Sequence, residues 1–442
     1  VRKVIPESRS ALSGASIAVC LLFIFLVPFA AAGLSLINTG LNRSRSAAHG
    51  ILASLCVASV AILAYFVCGF AFQGLSSEPG HTIQLAGKVW NWLGAKPLFF
   101  CGIAFDGSPG SLIVLLQMFS VALAALIPLG SGAERWRLSA SCVSAALLAG
   151  WTYPLFAHWV WGGGWLAQLG VNYGLGRGFL DAGGSGSIQV VGGLSALSVA
   201  WILGPRRNKF TAEGMPAAMP GHNAVLALFG CMLAWVGWLG LNSAGAILFA
   251  GLDPAQIVLV AVNTTLSAAS AAVASLLITR VRFGKPDASL TANGWIGGLV
   301  ASSASCAFVK PAEAVVIGLL AAFLVVFAIE IVELRMRVDD PGGAISVHAV
   351  AGLWGVLAVG IFGRFPTQAA SGDSGQFLAQ LVGIAALIGF MLPLIYGLNR
   401  LLNRFLPQRV SAEGERQGMD LFELGAGAYP DFVTHREDLL RH

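Results

Sequence analysis

Two stretches of the chain, DAGGSGSIQVVGGL at residues 181–194 and DPGGAISVHAVAGL at residues 340–353, match each other without a gap. They share Asp181/Asp340, Gly183/Gly342, Gly184/Gly343, Ser187/Ser346, Val191/Val350, Gly193/Gly352 and Leu194/Leu353, and Ile188 pairs conservatively with Val347. A match at this density reads as one structural unit used twice. Each copy opens with an aspartate and a glycine pair, the chemistry of a helix start. Each then runs into an apolar segment with one polar or ionisable side chain at its ninth position, Gln189 in the first copy and His348 in the second.

The rest of the chain sets the solvent these units meet. Its 442 residues carry 26 Lys and Arg and 21 Asp and Glu, so 11% are charged and 56% hydrophobic, with a formal net charge of +5. A soluble domain carries about 25% charged residues. Less than half of that excludes a soluble enzyme, a nucleic-acid binder and a disordered chain, and leaves a polytopic helical membrane protein. A bilayer core takes about 20 apolar residues per helix. Such runs fall near 14–38, 48–73, 111–130, 138–159, 187–204, 223–244, 255–279, 292–308, 312–332, 344–363 and 377–402, eleven in all. The first is read as a retained span, because it is long and lacks a clear cleavage site followed by a polar mature start.

Basic residues orient the spans. Alternate loops hold Arg43, Arg45, Arg135, Arg137, Arg206, Arg207, Lys209, Arg280, Arg282, Lys285, Arg335 and Arg337; with the C-terminal segment from Arg400 they total eighteen, against eight elsewhere. The C-terminus is therefore expected in the cytoplasm and the N-terminus outside, although Arg2, Lys3 and Arg9 pull mildly the other way. Five spans separate the two copies, an odd number, so the second is expected upside down relative to the first. Inverted repeats of this kind place their functional site near the midplane, where the halves meet. Gln189 and His348 are then either hydrogen-bonding glue between helices or two polar groups facing each other across a narrow lumen; their symmetric positions favour the lumen. The seven cysteines form no CxxC pair and mostly sit in apolar runs, where a thiol packs as a small hydrophobe. No metal site and no cofactor are expected. Gly183 to Gly186 is only loosely like a phosphate loop, with no Lys following, so an enzyme is not expected either.

Several further motifs stand in order along nearly the whole chain: Ala133-Glu134-Arg135, His158-Trp159-Val160-Trp161-Gly162-Gly163-Gly164, Gly204-Pro205-Arg206, Pro220-Gly221-His222-Asn223, Gly237-Trp238-Leu239-Gly240-Leu241-Asn242, Asn263-Thr264 and Asp339-Asp340-Pro341. The tail adds Arg409-Val410-Ser411, Glu415-Arg416-Gln417-Gly418-Met419-Asp420 and Ala428-Tyr429-Pro430. In this order the sequence resembles the ammonium transporter (Amt/Mep/Rh) family. The resemblance implies an all-α fold of eleven transmembrane helices with a five-plus-five inverted repeat, a homotrimer with one pore per subunit, and a plasma (inner) membrane location. It divides the chain into a transmembrane domain at 1–402, with repeat halves near 14–204 and 223–363 and a last helix at 377–402, and a cytoplasmic regulatory tail at 403–442. In the family that tail lies across the neighbouring subunit and docks a PII-type regulatory protein; here its matching residues are Arg409, Glu415, Arg416, Asp420 and Tyr429.

The same resemblance assigns pore roles. Asp181 matches a buried aspartate that orients helix ends and biases the site toward cation; on its residues alone it is equally an N-cap. Trp161 matches a vestibule tryptophan whose face attracts ammonium, and its competing reading is an interfacial belt residue. His348 matches the second of two pore histidines. The departures cluster in the pore: Gln189 stands for the first histidine, Ser120 and Leu241 for two stacked phenylalanines, and Gly245 for the vestibule serine, with Ser243 two residues earlier as a substitute. A glutamine hydrogen-bonds but does not titrate near neutral pH, so a two-imidazole proton relay is broken, and loss of the aromatic plug is expected to leave a wider, wetter entrance. Three functions remain open: an ammonium transporter or channel with an atypical pore, an ammonium sensor that binds without appreciable flux and signals through its tail, and a pore for another small solute.

Overall fold

The computed structural model describes residues 12–76, 80–365 and 374–429. Arg2, Lys3 and Arg9, and the tail from Pro430 onward, lie outside the described residues. Among the described residues ten helical segments are long and apolar enough to cross a bilayer. They are α1 (Gly14–Leu41), α2 (Ser44–Gln73), α3 (Pro109–Gly132), α4 (Leu138–Val160), α5 (Ser185–Leu203), α6 (Ala224–Leu248), α7 (Pro254–Phe283), α9 (Pro311–Arg335), α10 (Ile345–Phe362) and α11 (Gly375–Phe405). The expected run at 292–308 is also a helix, α8 (Ala288–Ser305), but its Ser, Thr and Asn residues keep it below the apolar level of the others. It packs against α7, α9 and α10 and buries most of its length. The chain is a multi-pass helical membrane protein.

One element departs from an all-α reading. Between α2 and α3 an antiparallel hairpin pairs β1 (Gly80–Leu85) with β2 (Lys88–Gly94). Its turn residues Ala86 and Gly87 both have positive φ, 50° and 72°, the turn whose twist suits two adjacent strands.

The helices start where side chains can take up free backbone N–H groups. Ser108 caps α3, Asn223 caps α6 and Asp287 caps α8. Pro28 breaks α1 into two helical pieces, because a proline removes a hydrogen bond and crowds the preceding turn. Helices then pack where small residues let backbones meet. The seam between α1 and α6 is the clearest case: a Cβ on Gly33 would fall 2.4 Å from the Ala234 nitrogen, and one on Gly237 only 2.0 Å from the Ala30 nitrogen. Thus α1 is an integral packed element of the bundle.

Two contacts position the centre. A Cβ on Gly193 would lie 2.3 Å from the Ala349 nitrogen, and one on Gly352 would lie 2.8 Å from the Ser185 carbonyl, so α5 and α10 cross antiparallel at the two matched glycines. Helix α3 runs parallel to α5, because Gly192 packs on Ala124 and Ile127 while Arg135 Nε, past the end of α3, donates to the Gly204 carbonyl at 2.7 Å, past the end of α5.

Candidate functional site

Each matched segment builds its helix start in the same way. Asp181 Oδ1 accepts from the Gly184 N–H at 2.9 Å, and Oδ2 from Gly186 at 3.0 Å and Ser187 at 2.8 Å. Asp340 accepts from Ala344 at 3.1 Å, Ile345 at 2.8 Å and the Ser131 hydroxyl at 2.6 Å. The second glycine of each pair takes the left-handed conformation, Gly184 at φ 95° and Gly343 at φ 69°, which only glycine adopts freely. Both aspartates take up free N–H groups of a helix start from several residues upstream, while the cap positions themselves are held by Gly184 and Ala344.

The helices then open with a wide π-helical turn, Ser185–Val190 in α5 and Ile345–Val350 in α10. Turns of this kind re-aim side chains and cluster at functional sites. Here they bring Gln189 and His348 together: His348 Nδ1 lies 2.7 Å from Gln189 Oε1. An amide oxygen only accepts, so Nδ1 carries the hydrogen and Nε2 is left as the acceptor of the neutral ring. Gln189 Nε2 has no partner, and the two side chains are 0% and 2% exposed.

The Trp161 end of the site is more closed than the sequence suggested. Trp161 donates its indole N–H to the Asp181 carbonyl at 2.8 Å and stacks on Phe249 with ring centres 4.4 Å apart and planes 11° from parallel. With Asp181, Phe179 and Phe308 these rings line a cavity of about 40 Å³. Gly245 does not line it; a side chain there would sit 2.2 Å from the Ala182 carbonyl. Ser243 is buried with its hydroxyl unpartnered and does not line it either. Ser120 and Leu241 are each 1% exposed, so no wide, wet entrance opens at the two positions that the resemblance matched to stacked phenylalanines. Instead the fully buried Tyr153 reaches in from α4, with its hydroxyl beside Ser120 and donating to Gln117 Oε1. Tyr153, Gln117 and Phe249 were not read as site residues from the sequence.

The opposite end is tied by a buried ionic knot. Arg206 bonds both oxygens of Asp339, at 2.9 and 3.0 Å, and Glu134 at 2.6 Å. Arg135 Nη2 donates to the Asp339 carbonyl at 2.8 Å, and Arg43 pairs with Glu134. Burial pushes the Asp339 carboxyl up, but Arg135 and Arg206 outweigh it and hold it below the ordinary carboxylate range. Burial pulls the Arg135 guanidinium down, to about 10, against the upward pull of Asp339. The loops at 133–135, 204–206 and 339 are thereby clamped as one.

The tail packs on this face of its own chain. Arg409 donates to the Leu203 carbonyl at 2.7 Å, to Pro205 at 2.8 Å and to Glu415 Oε2 at 2.8 Å. Glu415, in the short helix α12 (Ala412–Gln417), also accepts from the Arg207 N–H at 2.5 Å. Arg416 pairs with Glu413 in the same helix, and its carbonyl accepts from Arg45 at 3.0 Å. Asp420 caps the start of α2 through the Ala48 and His49 N–H groups, at 3.1 and 2.7 Å. Tyr429 bonds His222 at 3.0 Å. Glu423, which the sequence did not single out, bonds the His49 ring at 2.8 Å and caps α4 at Leu138 at 3.0 Å.

Fold and site together define a multi-pass membrane protein with one buried amide–imidazole pair where two matched helices cross. The Ammonium Transporter Family model matches residues 18–429, and the chain belongs to that family. It is 37% identical over 429 residues to ammonium transporter Amt2 of Archaeoglobus fulgidus, covering 94% of this chain and 88% of that protein. It is 31% identical to ammonium transporter 1 member 3 of Solanum lycopersicum, covering 93% and 92%. Among solved structures it is similar to one described as a sensor Amt protein, at a TM-score of 0.83 and 28% identity over 92% of this chain and 97% of that one. The fold is shared with Candida albicans Mep2, at a TM-score of 0.78 over 91% of this chain and 87% of that one.

Proposed function

We propose that this protein is an ammonium transporter or channel with an atypical pore, in which Gln189 and His348 carry the nitrogen across the midplane by hydrogen bonds. One observation carries the reading: the two side chains occupy matched positions, are buried from lipid, and bond each other while keeping one free donor and one free acceptor between them. Moving a bare cation through a dry passage costs many kcal/mol, so the nitrogen crosses as ammonia. Trp161 and the Asp181 carbonyl side form the outer vestibule, Ser120 and Leu241 the level below it, and Gly245 with Ser243 the packed wall that brings α6 against residues 181–183. Gln189 cannot relay a proton, and conduction is slow for the family.

The eleven helices span the membrane as a five-plus-five inverted repeat, 14–204 and 223–363, with the N-terminus outside and the C-terminus cytoplasmic. The antiparallel crossing at Gly193 and Gly352 supports this. The protein is a homotrimer in the plasma (inner) membrane, and residues 403–442 form a regulatory tail where Arg409, Glu415, Arg416, Asp420 and Tyr429 prepare a face for a PII-type protein.

A second reading is favoured by the closed outer end. With Trp161 stacked on Phe249 and the tail tied to the end of α5, the same scaffold would bind ammonium and report it through the tail. Currents from the purified protein on a solid-supported membrane separate the two. An ammonium-evoked current that rises in Gln189→His supports the transporter; no current in either protein, with ammonium-dependent protection of the tail from proteolysis, overturns it in favour of the sensor.

A further inference from the structure

We infer that Gln117 is a specificity-determining residue of this conduit, whose unpaired amide N–H selects neutral ammonia over the intact ammonium ion at the level of Ser120. The inference rests on the reading of Gln189 and His348 as the lining of a conduit for ammonia.

Gln117 is 0% exposed, in the middle of the α3 segment that faces α4 and α5. Its Oε1 is occupied by the Tyr153 hydroxyl, and its Nε2 has no partner. Helix register gives its height. Because α3 and α5 run parallel with Ala124 against Gly192, Gln117 stands about 6 Å outward of Gln189 along the helix axes, at 1.5 Å per residue. Gln189 has the same arrangement, with its oxygen taken by a ring donor and its nitrogen free.

Two buried amides in series thus offer donors and withhold acceptors. A buried N–H without a partner is costly, and what satisfies it is a lone pair. Ammonia has one. Ammonium has four N–H groups and no lone pair, so it meets donor against donor at both amides, and the one free acceptor, His348 Nε2, is reached only beyond Gln117. The ion is drawn to the vestibule, gives its proton to external water there, and only the ammonia that remains is held at Gln117. An aromatic plug would select by exclusion; this conduit selects by hydrogen-bond polarity, with Tyr153 fixing which end of the amide is free.

Isothermal titration of the full-length protein with ammonium chloride at pH 6, 7 and 8 tests this. If the bound species is ammonia, apparent affinity in total ammonium improves roughly tenfold per pH unit as the neutral fraction grows. Affinity that does not change with pH overturns the inference while leaving ammonium binding intact; absence of binding at every pH overturns the conduit reading with it. Gln117→Leu is expected to weaken binding at pH 8 roughly tenfold and, because it leaves the buried Tyr153 hydroxyl without its acceptor, to lower the melting temperature without unfolding the bundle; unchanged affinity in that variant removes Gln117 from the site. Gln117→Glu, which offers only acceptors, is expected to flatten the pH dependence; retention of the wild-type slope counts against the proposal. Should the Glu variant fail to fold, the wild-type slope and the Leu variant decide.

Discussion

At the head of α5, Asp181 gathers three backbone N–H groups, Gly184 turns left-handed, and a wide turn delivers Gln189. At the head of α10, Asp340 gathers two N–H groups and a serine hydroxyl, Gly343 turns left-handed, and a wide turn delivers His348. The constructions match while the delivered chemistry does not: one side chain titrates in its free form and the other never does. The difference teaches that the cap, the glycine and the crossing are demands of the backbone, whereas the ninth position is open to functional change.

The comparison breaks first at the caps. Asp181→Ala strands three buried N–H groups at about 1–3 kcal/mol each, and a loss of roughly 3–9 kcal/mol is expected in detergent unfolding. Asp340→Ala strands two and frees Ser131 to turn elsewhere, so a smaller loss, roughly 2–6 kcal/mol, is expected. Equal or reversed losses would show that the number of N–H groups each aspartate holds does not set its contribution.

Next comes the knot that locks the α10 side and has no counterpart at Asp181. Arg206→Met leaves Asp339 and Glu134 short of a partner at a cost of about 3–5 kcal/mol. The pH dependence follows from the depressed Asp339 carboxyl. Its folded pKa lies below the unfolded value of about 3.9, so its stabilisation is complete above that value and is lost as pH falls through the folded pKa. Melting temperature should hold from pH 7 to pH 5 and drop below about pH 4. The acid drop should shrink in Asp339→Asn, and an unchanged drop would assign it to other carboxylates.

Much of this was legible in the sequence because its signals are local. Apolar runs gave the helices, and an ungapped repeat pointed Gln189 at His348. The family's motifs placed Asp181 and Trp161. Other features depend on groups far apart in the chain. No periodicity joins Tyr153 to Ser120 and Gln117, or Arg206 to Glu134 and Asp339. The hairpin at 80–94 is short and lies between two apolar runs, where no helix-length signal marks it. The opening expected at Ser120 and Leu241 does not appear, because space left in a close-packed bundle is taken by a neighbouring side chain. Tyr153 stands beside Ser120, and at Gly245, matched to the vestibule serine, the Ala182 carbonyl takes the space a side chain would need.

The smallest expected effect is at the tail. Arg409→Ala removes bonds to the Leu203 and Pro205 carbonyls at the end of α5. A loss of about 1–2 kcal/mol with altered ammonium response is expected, and an unaltered response would disconnect the tail from the conduit.

A double-mutant cycle on Gln189 and His348, read as ammonium affinity by calorimetry, tests the central claim most directly. Gln189→Leu, His348→Leu and the double variant are compared with wild type. If the two side chains act as one hydrogen-bonded unit, the double variant loses less than the sum of the singles, by about 1–2 kcal/mol. Losses that add to within roughly 0.5 kcal/mol would contradict it, since each residue would then meet the ligand, or nothing, alone.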